Sequence, residues 1–267
     1  MSLPTQRIDP ESTNPNRLII FSPPKHGKTT LISELDNCLL IDLENGSNFV
    51  SALKVQVNSL TELQDLGNEI MKAGRPYKYI AIDTVTALEN WAEWDATEDY
   101  MNQPIGKAFN RDPKEVTKLL PRNQWKSVLT LPNGAGYMWL RLSMTNWINR
   151  LSKLAPHIIL IGHLKEKMIE FQGKEVSQKA LDLTGKIASI TCANADAIAY
   201  LYRDEEGIHL NFAANDTTLC GARPEHLRGK DIVVAENKED GTTTYHWDRI
   251  FKPVSYTHLT LPTNREV

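Results

Sequence analysis

The segment Ser22-Pro23-Pro24-Lys25-His26-Gly27-Lys28-Thr29-Thr30 sets a glycine, a lysine and two hydroxyl residues in succession, just after a short apolar run. Those residue types in that order suit a polyphosphate. A tight loop aims backbone N–H groups at phosphate oxygens, and a helix starting there adds the positive end of its dipole. Lys28 would reach the outer phosphates, and Thr29 would ligate Mg²⁺. The usual loop, G-x-x-x-x-G-K-[ST], opens on glycine. Here Ser22 takes that place, a small residue that still permits the turn, and Pro23 and Pro24 stiffen the loop.

Three further polar positions stand at the ends of apolar runs. Tyr79-Ile80-Ala81-Ile82 ends in Asp83, a carboxylate that can hold Mg²⁺ through water. Leu40-Ile41 leads into Asp42 and Glu44, either of which can orient and deprotonate an attacking water; Glu44 is the preferred base and Asp42 the alternative. Ile158-Ile159-Leu160-Ile161-Gly162 ends in His163, a side chain suited to sensing a terminal phosphate. Lys28, Glu44 and His163 are thus the candidate catalytic residues. Ser22 to Thr30 form the candidate nucleotide-binding loop, and Thr29 and Asp83 the candidate metal ligands.

Positioning these residues requires a particular scaffold. Leu18–Phe21, Leu39–Ile41, Tyr79–Ile82 and Ile158–Ile161 are continuous apolar runs, as expected for strands buried on both faces. Between them, 29–35, 59–73 and 137–154 read as helices. In the second, Ser59 can cap and Leu60, Leu63, Leu66 and Ile70 share a face. Strands alternating with helices imply a largely parallel sheet, with ligands at the carboxyl ends of its strands. Residues 84–132 read as less regular, with Trp91 and Trp94 in a helix and an exposed insertion over about 95–132. Later the period changes to hairpins: 168–176, 197–212 about Glu206-Gly207, and 232–245 about Asp240-Gly241.

Charge is nearly balanced, 30 basic against 33 acidic residues, so no strongly basic nucleic-acid footprint covers the whole chain. Cys38, Cys192 and Cys220 have neither zinc nor disulfide spacing and are expected as buried thiols. No run is long enough to span a membrane, and a soluble cytoplasmic protein is expected, in a host cell if phage-encoded. Residues 1–16 read as a flexible lead and 17–253 as one domain. The string Val254–Thr263 looks like a translated sequencing adapter, so 254–267 are expected to be non-native and the natural carboxyl terminus missing.

Taken in order, these motifs resemble the core of the RecA/RadA ATPases. Leu40–Glu44 resembles the strand carrying their catalytic glutamate, Ile82–Leu88 their Walker B strand, and Ile159–His163 the strand ending in their γ-phosphate sensor. Gly134-Ala135-Gly136-Tyr137 and Asn194-Ala195-Asp196-Ala197 add a similarity to phage nucleotide-binding proteins of the RecA-like single-strand-annealing type. The resemblance implies an α/β RecA-like P-loop NTPase core, a mainly parallel sheet flanked by helices with antiparallel hairpins towards the carboxyl end. It implies ATP and Mg²⁺ as cofactors, a homo-oligomer, and action on single-stranded DNA in phage recombination or replication. DNA would meet 129–137 and 165–185, the latter through Lys165, Lys167, Lys174 and Lys179, with Phe171 and Gln172. Arg223 would serve as an arginine finger in a neighbouring subunit's site. The alternative is a P-loop switch or packaging-associated ATPase with a protein partner.

Overall fold

The computed structural model describes residues 12–253 apart from 116, 172 and 216, and not the side chain of Phe171. The expectations for 1–11 and 254–267 lie outside the described residues. In chain order the elements are β1 (Arg17–Ser22), α1 (Lys28–Ser33), β2 (Cys38–Asp42), β3 (Leu53–Gln56), α2 (Leu60–Lys72) and β4 (Tyr79–Asp83). There follow α3 (Val85–Met101), α4 (Pro104–Phe109), α5 (Gly136–Leu151), β5 (His157–Phe171), β6 (Lys174–Leu181) and α6 (Lys186–Ala193). The last are β7 (Ala197–Arg203), β8 (Gly207–Asn211), β9 (Gly221–Ala222), β10 (Asp231–Asn237) and β11 (Thr243–Tyr245).

The strands lie in the order β11-β10-β8-β7-β1-β5-β4-β2-β3. From β3 to β7 every neighbour is parallel; β8, β10 and β11 continue the sheet antiparallel. This is a mainly parallel sheet with antiparallel strands towards the carboxyl end. The apolar runs explain its burial. Ile19 and Phe21 of β1 join a core with Ile80, Ile82, Leu88, Met144 and Leu160, under α2, α3 and α5. Leu18 and Ile20 point the other way, into a core with Leu31 and Ile32 of α1, Ile159, Ile161 and Trp247. Burying one such side chain contributes roughly 1.5–3 kcal/mol, so a run buried on both faces anchors the sheet through its middle. All three cysteines are buried free thiols.

Three elements differ from the sequence expectations. β3 pairs parallel with β2 at the sheet edge. Leu53 and Lys54 are exposed there, so no apolar run marks the strand. The expected irregular stretch opens on α3, a helix of 17 residues. Its buried stripe is Val85, Leu88, Glu89, Ala92, Ala96, Thr97 and Tyr100, in which small and polar residues hide the 3.6-residue period. The expected insertion therefore starts inside this helix; 111–124 are largely exposed, while Val128 and Leu131 return to the core. The first hairpin is longer than expected: β5 runs without a break from the core into an arm paired with β6, from Leu164↔Leu181 to Phe171↔Lys174. Among the described residues no helix is long and apolar enough to cross a membrane.

Candidate functional site

β1 is flanked by β5 and β7, and the segment leaving its carboxyl end is the loop Pro23–Gly27. Lys25 and Gly27 take positive φ, 63° and 91°. At Gly27 any side chain would be strained, and successive turns of this kind gather backbone N–H groups into an anion-binding concavity. Ser22 is fully buried, its hydroxyl donating to Pro23 O. Lys28 is 6% exposed. Its ammonium donates to Ser22 O (3.1 Å), Ser22 Oγ (3.0 Å) and Pro23 O (2.9 Å), spanning the concavity. Burial lowers the Lys28 pKa, while Asp83 and Glu44 oppose the shift. Lys28 is therefore held by the loop's own oxygens in the ligand-free protein. His26 Nδ1 stands 3.0 Å from Pro24 O, and Thr30 accepts the Ser33 hydroxyl at its carbonyl.

The remaining candidates arrive from neighbouring strands in register. Asp83 of β4 lies beside Asp42 of β2 and Ile161 of β5, and His163 of β5 beside Ser22 of β1. Thr29 Oγ1 donates to Asp83 Oδ2 at 2.7 Å. Burial raises the Asp83 pKa; the Thr29 hydrogen bond lowers it, and Glu44 and Asp42 push it up further. A hydroxyl and a buried carboxylate under surplus negative charge form an oxygen donor set that suits Mg²⁺.

The structure separates the two carboxylates after β2. Asp42, 1% exposed, accepts the backbone N–H groups of Glu44 (3.0 Å), Gly46 (3.3 Å) and Ser47 (2.8 Å). Burial favours its neutral form, but these hydrogen bonds outweigh burial and hold the Asp42 carboxyl below its usual range. Asp42 is thus consumed in folding its own turn. That turn presents Glu44, whose carboxylate accepts the Thr84 hydroxyl and lies 3.1 and 3.3 Å from His163 Nε2. His163 Nδ1 is buried without a partner among the described residues.

Sequence reasoning missed the residues behind these. Thr84 caps α3 by accepting Ala87 N–H while donating to Glu44. Thr86 accepts His163 N–H (3.4 Å) and donates to Asp182 O (3.2 Å). Glu89 accepts Thr184 N–H and its hydroxyl, at 2.8 and 3.1 Å. The first turns of α3 therefore tie the Asp83 strand end to the root of the β5–β6 arm. A hydroxyl after a strand-terminal Asp signals a cap; nothing local signals the other contacts, which span 77 to 96 residues of chain.

Arg223 stands apart, at the amino ends of the strands. It pairs with Asp196 Oδ1 at 3.1 Å and donates to Ala193 O at 2.7 Å. Asp196 in turn accepts the N–H groups of Asn16 and Arg17, where β1 begins. Within its own chain Arg223 is far from the phosphate loop. Two of the four arm lysines are likewise engaged. Lys165 pairs with Asp182 at 3.2 Å and donates to Leu183 O, and Lys179 lies 4.7 Å from the Tyr200 ring centroid.

A family model described as AAA domain matches residues 14–231. Comparison with curated protein sequences finds no match. Among solved structures, the crystal structure of the RadB recombinase aligns with 86% of this chain and 91% of its own, at 11% identity and a TM-score of 0.43. With the phosphate loop at the centre of the sheet and the family model spanning most of its length, the chain belongs to the AAA domain family.

Proposed function

We propose that this protein binds and hydrolyses ATP with Mg²⁺ and acts on single-stranded DNA, in phage recombination or replication. The observation that carries the reading is the convergence of Lys28, Thr29, Asp83, Glu44 and His163, from four adjacent strand ends, on one phosphate-binding loop. Backbone N–H groups of the loop would hold the phosphates, with Lys28 exchanging Ser22 and Pro23 oxygens for phosphate oxygens. Thr29 and Asp83 would hold Mg²⁺, which supplies charge neutralisation on the phosphates when bound. Glu44, oriented by Thr84, would take the proton of the attacking water. His163 would meet the terminal phosphate as its contact to Glu44 is exchanged.

The arm beyond His163 supports the DNA half of the reading. Its sequence interleaves lysines and glutamates, but strand alternation gathers three of the four lysines on one face. The register puts Lys165, Lys167 and Lys174 on one face of the hairpin and Glu166, Glu170 and Glu175 on the other, where Lys179 stands opposite Glu166. Lys167 and Lys174 are exposed, as cations meeting phosphates would be. At the arm's root Tyr137 and Arg141 of α5 line one cleft with Gly185 and Lys186, so the two segments expected to meet DNA adjoin. An exposed tyrosine, 46% accessible, beside two cations suits stacking on an unpaired base. ATP sitting between subunits of a homo-oligomer fits the open carboxyl ends of the strands.

ATP turnover measured with and without single-stranded DNA tests the proposal. Stimulation by DNA is expected. Turnover without DNA binding at any salt would move the reading to an ATPase with a protein partner, and no nucleotide binding would end it.

A further inference from the structure

The geometry points to Arg203 as a nucleotide-binding residue at the α-phosphate end of the site, on the far side of the phosphate loop from Glu44 and His163. The inference rests on reading that loop as a nucleotide site. It begins with strand alternation in β7. Ala197, Ala199 and Leu201 pack in the same core as Leu31 and Ile32 of α1, and Arg203 is the next position on that face. β7 lies parallel to β1 from Leu18↔Ala197 to Phe21↔Tyr200. Past that pairing, Arg203 has run beyond the core to the level of the loop. A methyl group added at Gly27 would lie 4.0 Å from both Cζ and Nε of Arg203, and 3.5 Å from Cδ1 of Ile208.

The guanidinium is free for a ligand. Arg203 is exposed, and its side chain makes no hydrogen bond or salt bridge among the described residues. The acidic turn after it does not neutralise it at close range. Asp204 faces the other side of the strand, where it accepts Glu206 N–H, Gly207 N–H and His209 Nε2.

The site's polarity fixes which phosphate Arg203 meets. Glu44 follows β2, and Asp83 and His163 stand on β4 and β5, all on one side of β1, and a terminal phosphate must lie there to be attacked. Arg203 stands on β7, on the other side. A nucleotide spanning the loop then brings its α-phosphate end to the guanidinium, a planar donor fork suited to phosphate oxygens. ATP and ADP share that end, so Arg203 contributes equally to both.

Calorimetric titration of MgATP and of MgADP into the wild-type chain and into Arg203→Ala and Arg203→Lys tests this. Arg203→Ala is expected to weaken both nucleotides by the same factor, about tenfold, and Arg203→Lys by less, because a point charge replaces the fork. Thermal melts should coincide, since the side chain holds nothing in the fold. Unchanged affinity in Arg203→Ala, with wild type binding normally, would overturn the inference. So would a loss confined to ATP, which would set the guanidinium at the terminal phosphate. A wild-type chain that binds neither nucleotide would defeat the phosphate-loop reading itself, and this inference with it.

Discussion

At the amino ends of the parallel strands, the Asp196 carboxylate accepts Asn16 and Arg17 N–H and pairs with Arg223; Asn14 and Lys252 exchange two hydrogen bonds beside it. At the carboxyl ends, Asp83, Glu44 and His163 meet side chains from other segments instead. The residue types are alike and the dispositions opposite. A carboxylate whose oxygens serve backbone N–H groups has its hydrogen bonding completed by the fold, and its removal costs stability. One held only by a hydroxyl and an imidazole keeps accepting capacity for a ligand. The same contrast separates Asp42 from Glu44, two residues apart on one turn, and Arg223 from Arg203.

Substitutions at the two ends can break that comparison. The largest effect is expected from Lys28→Ala, which should abolish nucleotide binding or turnover while the circular dichroism spectrum stays that of a folded chain. Because Lys28 also bridges Ser22 and Pro23 oxygens, a modest drop in Tm is expected too. Undiminished turnover in a folded variant would remove the site from this end of the sheet.

Glu44→Gln should keep ATP affinity and lose about 10²–10⁴-fold in turnover, since the amide cannot accept the water's proton. Asp42→Asn should do the reverse, costing about 1–3 kcal/mol of stability through its turn and leaving chemistry largely in place. Single-turnover rates and melting curves on the pair decide it. The reversed pattern would exchange the two assignments.

A smaller effect is expected at His163. A ligand shifts a conformational equilibrium only by its differential affinity for the two states. ATP offers a terminal phosphate that ADP lacks, and His163 shares its backbone bonds with Thr86 and Asp182 at the root of the arm. Single-stranded DNA should bind about fivefold or more tightly with a non-hydrolysable ATP analogue than with ADP. His163→Ala should erase most of that difference. Anisotropy of a labelled oligonucleotide in both nucleotide states measures it, and equal affinities in wild type would leave the arm uncoupled.

The least functional effect is expected from Asp196→Ala at the other end. It should lower stability by about 1–3 kcal/mol, seen as a drop of several degrees in Tm, with nucleotide affinity unchanged. A change in nucleotide affinity without loss of stability would show that the amino ends of the strands are not purely structural.

By itself the sequence determined the four central strands, the phosphate loop and the positions of Asp83 and His163. Each depends on local pattern: an apolar run buried on both faces, a Gly-Lys-Thr in a strand-to-helix turn, a polar residue where a run stops. It also placed α2, with Ser59 as its cap, and two of the hairpin turns. Only the tertiary structure distinguished Asp42 from Glu44, because it shows which carboxylate the backbone of its own turn engages. It alone gathered Lys165, Lys167 and Lys174 on one face of the arm, since pairing register and not composition sets which side chains share a side. It alone set Arg223 at the amino end of the sheet and Arg203 beside the phosphate loop. Strand order is a property of long-range pairing, and no local spacing encodes which strand lies next to β1.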